Sequence, residues 1–123
     1  MGRDRRDFKA PHLKRCVAYP KGYNRVVLYI VQQTDTFAVW HAELRDLRAR
    51  IAIARRIERI STGTLGDVKS IGGELSELRV DVGAGYRLYF TIRGNVAIIL
   101  LCGGDKSTQA GDIRKARKLI NEV

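Results

Sequence analysis

The stretch LSELRVDVGAGYRLYFTIRGNVAIILLC, residues 75–102, decides how this chain folds. It holds three runs rich in β-branched, aromatic and aliphatic residues, separated by turns that contain glycine. Such runs are typical of β-strands, and a two-residue Gly-Asn connection indicates a hairpin. The stretch predicts three antiparallel strands, a hairpin turn at Gly94-Asn95, and an end of the last strand at Gly103-Gly104. The three strands are Leu75 to Val82, Gly85 to Arg93 and Val96 to Cys102.

The alternation of side chains predicts which residues share a face of this sheet. A register shift of one residue would move the apolar side chains to the other face, so matching the faces selects the register. A three-residue loop at Gly83-Ala84-Gly85 pairs Asp81 with Arg87, and the hairpin turn pairs Arg87 with Cys102. Tyr86 then lies on the core face. The polar face gathers Arg79, Arg87, Tyr89 and Lys106, with Glu77 and Asp81 interleaved, and Lys69 can reach it from a possible short strand at Val68 to Ile71.

The flanking segments predict helices on either side of these strands. Arg25 to Gln33 has the composition of a strand, and Thr34-Asp35-Thr36 supplies residues that cap helices. Apolar residues then recur every three to four positions, which predicts helices near 36–45 and 47–61 with Asp46 as the N-cap between them. A last amphipathic helix covers 110–122. The order β-α-α-β-β-β-α predicts an α+β fold, with a helical pair packed on a mainly antiparallel four-stranded sheet.

Length and charge restrict the classes of function. The 123 residues suffice for one domain, and no apolar run has the length of a membrane span. Two cysteines make no disulfide framework, which favours a reducing cytoplasm. Residues 1–25 carry eight Lys and Arg and two Asp within a formal net charge of +10. We interpret residues 1–24 as a basic, flexible extension and residues 25–123 as the folded domain. One interpretation of the charge is an anionic partner, either nucleic acid or an acidic protein. The other is a solvated basic tail.

The polar sheet face has the composition of a site that holds and cleaves a phosphodiester. Several cations can bind the phosphate, a carboxylate or lysine can accept the proton of an RNA 2′-hydroxyl, and a phenol can stack on a base. The alternative is a solvated face with cross-strand ion pairs. The loop Gly103–Thr108 lacks the spacing of a nucleotide-binding P-loop, and the two histidines lack metal-ligand spacing. We therefore predict no metal and no cofactor.

The chain resembles the HigB-like killer proteins of the RelE/ParE toxin superfamily, which also occur as phage-derived proteins. The motifs GDVKSIG, ELR, GAGYRLYF and GGDKSTQ carry the resemblance, which covers about residues 25–122. It implies a RelE-like fold and a cytoplasmic type II toxin silenced by a small helix-turn-helix antitoxin. It also implies a ribosome-dependent endoribonuclease that cleaves mRNA by attack of the 2′-oxygen, without a metal.

The resemblance also implies roles for individual residues. Arg87 falls on the arginine of the GYRL motif, Arg79 on the basic residue of the preceding strand, and Lys106 on the basic residue after the last strand. Glu77 stands where RelE has a second lysine, and Gly111-Asp112-Ile113 where RelE has its catalytic tyrosine. Glu77 is therefore the first choice for the general base and Tyr89 the second. The predicted RNA-binding residues are Lys69, Arg55 and Arg59.

Two alternatives to the ribonuclease stay open at this stage. One is a ParE-like protein that inhibits DNA gyrase without catalysis, and the other is a non-toxic binding module. The cationic, phenol-bearing face favours cleavage, because a gyrase inhibitor needs no such cluster.

Overall fold

The structure is a computed structural model that describes residues 28–123. The predicted extension at 1–24, and residues 25–27 of the first predicted strand, lie outside the described residues. Within the described part, none of the helices is long and apolar enough to cross a membrane. The elements are β1 (Ile30–Gln33), α1 (Asp35–Ala42), α2 (Leu47–Ser61), β2 (Val68–Ser70), β3 (Ser76–Val80), β4 (Tyr86–Arg93), β5 (Ala97–Asp105), a 3₁₀ turn (Lys106–Thr108) and α3 (Gln109–Ile120).

The α+β class is confirmed, but the sheet has five strands and is mixed. Its order is β1-β5-β4-β3-β2, with β1 parallel to β5 and the other neighbours antiparallel. The prediction of four strands was wrong because β2, with only three residues, is a full member of the sheet edge.

Both helices of the predicted pair begin at the predicted capping residues. The Thr34 hydroxyl accepts a hydrogen bond from the Phe37 N–H at 3.0 Å, and the Asp46 carboxylate accepts one from the Ala49 N–H at 3.2 Å. Each cap satisfies one N–H that has no partner inside the helix. Asp46 therefore divides the long apolar pattern into α1 and α2, as the sequence predicts.

The β3–β4 register differs from the prediction by two residues. Arg87 lies opposite Arg79 instead of Asp81, and the connection spans residues 81–85. Gly83 and Gly85 have φ values of 57° and 83°, in the left-handed region that favours glycine. A shift of two residues keeps every side chain on its face, so matching the faces could not exclude it.

The β4–β5 hairpin also has a longer turn than predicted. Arg93 pairs with Ala97, which makes residues 94–96 the loop, and a bulge separates the pairs Phe90–Leu100 and Tyr89–Cys102. As a result Arg87 lies beside Gly104 and not beside Cys102.

The predicted end of the last strand at Gly103-Gly104 was wrong, because β5 continues through both glycines to Asp105. A Cβ atom on Gly103 would collide with the Trp40 ring, and one on Gly104 would collide with Asp112 and Thr108. The two glycines permit close packing of α1 and α3 on opposite sides of β5.

The sheet buries both of its faces. One face packs against α1 and α2, through residues such as Phe37, Ile53 and Leu88. The other packs against α3, where Leu75, Tyr89 and Leu101 form one buried cluster with Ala116. The second face is therefore not the open polar surface that the alternation predicts, and its exposed residues lie toward β2 and the β3–β4 loop.

Candidate nucleic-acid interface

Arg87 is held at the edge of the α3-covered face by a buried carboxylate. Its Nη1 lies 3.6 Å from Oε2 of Glu77, whose exposed fraction is 1%, while the Arg87 side chain is 14% exposed. The same Glu77 oxygen accepts a hydrogen bond from Nε2 of Gln109 at 3.0 Å. Arg87 Nε is buried without a hydrogen-bond partner among the described residues. Glu77 therefore orients the Arg87 guanidinium from the buried side, and the exposed part of the side chain faces solvent.

Arg79 lies opposite Arg87 in the sheet and pairs with a different carboxylate. Its Nε and Nη2 donate to the two oxygens of Asp67 at 3.2 and 3.3 Å, and both side chains are about half exposed. The hydrogen bond to Asp67, and then its charge, raise the pKa of Arg79 above its usual value. Two arginines on adjacent strands would repel each other, and each has its own carboxylate.

Lys106 enters the same region from the turn after β5. Asp105 caps this turn by accepting hydrogen bonds from the Ser107 N–H at 2.8 Å and the Ser107 hydroxyl at 2.6 Å. The Lys106 N–H donates to the carbonyl of Gly85 at 3.2 Å, which joins the turn to the β3–β4 loop. The exposed Lys106 side chain is thereby placed next to the two arginines.

These three cations line one pocket of about 240 Å³, which we call the cationic pocket. The sequence predicts all three, and the structure brings them together. Its other walls include Asp67, Asp81, Tyr86 and the backbone at Gly85. The size and the charge suit one phosphate group with part of its sugar.

Two predicted site residues do not reach this pocket. Tyr89 is fully buried beneath α3, its hydroxyl has no hydrogen-bond partner among the described residues, and burial raises its pKa far above the usual value. Glu77 is buried too and pairs with Arg87 and Gln109. Their predicted place on an open face was wrong, because α3 covers that face.

The three predicted RNA-binding residues lie outside the pocket. Lys69 is exposed on β2, where it pairs with Glu77 across the sheet. Arg55 and Arg59 are exposed on α2 and line a separate groove between that helix and the β3–β4 loop. Val80 and Asp81 line both the cationic pocket and this groove.

Three pocket residues were not predicted as site residues. Tyr86 was expected in the core, and it does pack against Trp40 with ring centroids 6.3 Å apart, but its half-buried ring also lines the pocket. Partial burial, and then Asp46 and Asp105, raise its pKa, so the phenol stays protonated at neutral pH. Asp81, which the sequence places on the polar face opposite Arg87, lines the pocket without that pairing, and Asp67 lines it beside Arg79. Arg79 fixes Asp67, but no pattern in the sequence indicates this contact.

Within residues 28–123 there is no group of three or more His, Cys, Asp and Glu side chains that could hold a metal ion.

Comparisons with known proteins find a matching family model and a similar protein. Residues 42–121 match the model of a family described as phage-derived, Gp49-like proteins. An uncharacterized protein of Haemophilus influenzae is 46% identical to the chain over 93 residues, which cover 76% of this chain and 94% of that protein. The residues matched by the family model include every residue that lines the cationic pocket.

Proposed function

We propose that this chain, which belongs to the phage-derived Gp49-like family of toxin-like proteins, is the toxin of a type II toxin–antitoxin pair. We further propose that it is a HigB-like endoribonuclease of the RelE superfamily that cleaves mRNA on the ribosome. The observation that carries this proposal is the cationic pocket, in which Arg79, Arg87 and Lys106 meet. A pocket with three cations and two exposed carboxylates fits a scissile phosphate better than it fits a neutral ligand.

The proposed reaction needs no group beyond the chain and the RNA. The 2′-hydroxyl gives its proton to a base and its oxygen attacks the adjacent phosphorus. The bond to the 5′-oxygen breaks, and this oxygen takes a proton from solvent water, so the products end in a 2′,3′-cyclic phosphate and a 5′-hydroxyl. Negative charge grows on the non-bridging oxygens during the attack, and fixed cations lower the barrier most when they already point at that charge. Arg87 meets this condition, since Glu77 holds it in place.

We assign Glu77 a positioning role instead of the predicted role of general base. A group that takes a proton from the 2′-hydroxyl must come within hydrogen-bond reach of it. Glu77 is 1% exposed and already accepts from Gln109 and faces Arg87. Asp81, exposed on the pocket wall, meets the reach condition, so we assign proton acceptance to it. Tyr89 is replaced by Tyr86 as the phenol that can contact a base.

The proposal includes an antitoxin, the ribosome and mRNA as partners. Lys69 extends the positive surface from the pocket along the sheet edge, where it can contact the RNA backbone. Contacts of this kind depend on salt and contribute affinity without sequence preference.

Ribosomes programmed with a defined mRNA and incubated with the purified chain test the proposal. We expect cleavage inside the reading frame on ribosome-bound mRNA, with 5′-hydroxyl ends, and little cleavage of the same mRNA alone. The activity should persist with a chelator at concentrations that leave the magnesium of the ribosome in place. Intact mRNA, together with filamentation and a DNA-damage response in cells expressing the chain, would instead support gyrase inhibition.

A further inference from the structure

The groove beside α2 differs from the cationic pocket in its floor. The side chains of Ile51, Ala52 and Val82 form an apolar surface, and Ile51 is 46% exposed. Leu47, one turn earlier on α2, is 57% exposed and extends this surface. Large apolar side chains exposed side by side on a small domain are typical of a surface that a partner covers.

Arginines form the rim of the same groove. Arg48, Arg55 and Arg59 are at its edge, and none of them forms an ion pair with another described residue. Helix α2 carries five arginines and a single acidic residue, Glu58, in its 15 residues. Like charges four residues apart on a helix destabilise it slightly, so the free chain retains a repulsion that an anionic partner would relieve.

The back of the groove is rigid. Arg56 donates to the carbonyls of Arg79 and Leu65 at 2.9 and 3.1 Å, which ties α2 to the end of β3 and to the loop between α2 and β2. Burial lowers the pKa of Arg56, and the charge of Arg59 lowers it further. The groove is therefore a preformed surface with a positive potential.

We propose that this groove binds an acidic amphipathic peptide segment of a partner protein, with apolar side chains on Ile51 and carboxylates at Arg55 and Arg59. The chemistry favours a peptide over RNA, since a phosphate backbone gains nothing from an apolar floor. The rim from Arg48 to Arg59 spans twelve residues, or about 16 Å along the helix, which matches a partner helix of about three turns. The inference rests on the proposed function for the identity of the partner: if the chain is a toxin, the partner is the antitoxin.

Two fluorescent peptides of one composition test the proposal on the full chain. The first is a 15-residue peptide with leucines on one helical face and glutamates flanking them, and the second has the same residues scrambled so that no apolar face exists. A 12-nucleotide single-stranded RNA is the third probe. The variants are Ile51→Ser, Arg55→Gln with Arg59→Gln, Arg87→Ala, and Arg114→Gln as a control on an exposed arginine of α3.

We expect the amphipathic peptide to bind at least about ten-fold more tightly than the scrambled one. Ile51→Ser should weaken it by about five-fold or more, because an apolar contact is lost. The double arginine variant should weaken it about ten-fold at low salt and less at high salt. Arg87→Ala and Arg114→Gln should leave it unchanged. The substituted groove residues are exposed, and circular dichroism verifies that each variant is folded.

Three outcomes would overturn the proposal. The first is equal or absent binding of the two peptides, and the second is peptide affinity that does not change with Ile51→Ser. The third is RNA affinity that falls as much with the groove variants as with Arg87→Ala, which would assign the groove to RNA. None of these depends on ribosomal cleavage by the unmodified chain, so a failure here and a failure of the proposed function are distinguishable.

Discussion

The cationic pocket and the α2 groove share the wall formed by Val80 and Asp81, yet they hold their arginines differently. In the pocket, Arg79 and Arg87 each face a carboxylate, Asp67 and Glu77. In the groove, Arg55 and Arg59 have no carboxylate partner among the described residues and stand beside apolar side chains.

This difference indicates two kinds of ligand. A cation held by a buried carboxylate keeps its direction before the ligand arrives, which is what stabilisation of a transition state requires. A free cation on a helix surface provides steering and long-range attraction instead. This contrast supports the proposal that the pocket serves catalysis and the groove serves association.

The largest expected effect separates the two surfaces at Arg87. Arg87→Ala should reduce the rate of mRNA cleavage on programmed ribosomes by about 100-fold or more, since one fixed cation is lost. Growth arrest on expression should disappear with it. The control is Lys118→Ala, an exposed lysine on α3 that lies outside both surfaces. A folded Arg87→Ala chain that still cleaves at the original rate would move the site away from the pocket.

The second prediction tests whether Glu77 positions Arg87 or accepts a proton. Glu77→Gln keeps the size of the side chain but leaves the partly buried Arg87 without its counter-charge. We expect about a ten-fold loss of cleavage and a loss of up to about 3–5 kcal/mol in the free energy of unfolding. Urea denaturation and the pH profile of cleavage measure the two effects.

The pH profile decides between the roles. A positioning residue leaves the acidic limb of the profile in place, because another group still titrates. Loss of that limb in Glu77→Gln, with a rate as low as that of Arg87→Ala, would restore Glu77 as the base. Glu58→Gln, on the exposed side of α2, is the matched control.

These roles show which parts of the site could be predicted from the sequence. The alternation of residues 76–93 correctly placed Arg79 and Arg87 on one face, since period two is a property of any strand. It could not fix the register, because a slip of two residues preserves the faces, and so it paired Asp81 with Arg87.

The covering of that face by α3 was also beyond the sequence pattern. Glu77, Tyr89 and Thr91 alternate with apolar residues, which is the usual sign of a solvated face. In the structure they are buried by α3. The periodicity of the sequence identifies the apolar positions of α3, but it does not show which face of the sheet they cover. The contact of Arg79 with Asp67 joins β3 to the residue before β2, and no local pattern encodes it.

A smaller effect is expected at the Asp67 carboxylate. Asp67 pairs with Arg79 in the wall of the pocket, so under the proposed function it would compete with an RNA phosphate for the same guanidinium. Asp67→Asn should raise the affinity for a short single-stranded RNA, by less than about five-fold because exposed ion pairs are weak. Fluorescence anisotropy at low salt measures it.

The same substitution sharpens the comparison of the two surfaces. Binding of the amphipathic peptide to the groove should not change, because Asp67 does not line it. Glu74→Gln, an exposed acidic residue before β3, serves as the control. A fall in RNA affinity would mean that Asp67 helps to orient Arg79 instead of competing for it.

The smallest expected effect concerns the turn that carries Lys106. The two hydrogen bonds from Ser107 lower the pKa of Asp105 below its ordinary 3.8, although partial burial opposes the shift. A carboxyl group whose pKa is lower in the folded state contributes stability above its unfolded pKa, and this stability is lost as the pH falls through the folded pKa. The difference in free energy of unfolding between the unmodified chain and Asp105→Asn should therefore be constant from pH 7 to 5 and shrink toward pH 3.

We expect this difference in free energy of unfolding to be less than about 1 kcal/mol, which is the usual contribution of a cap. Urea denaturation at pH 7, 5 and 3 measures it, with Glu122→Gln near the C-terminus as the control. A difference that stays constant down to pH 3 would show that the charge of Asp105 does not hold this turn, and that the contact of Lys106 with Gly85 alone places the lysine in the pocket.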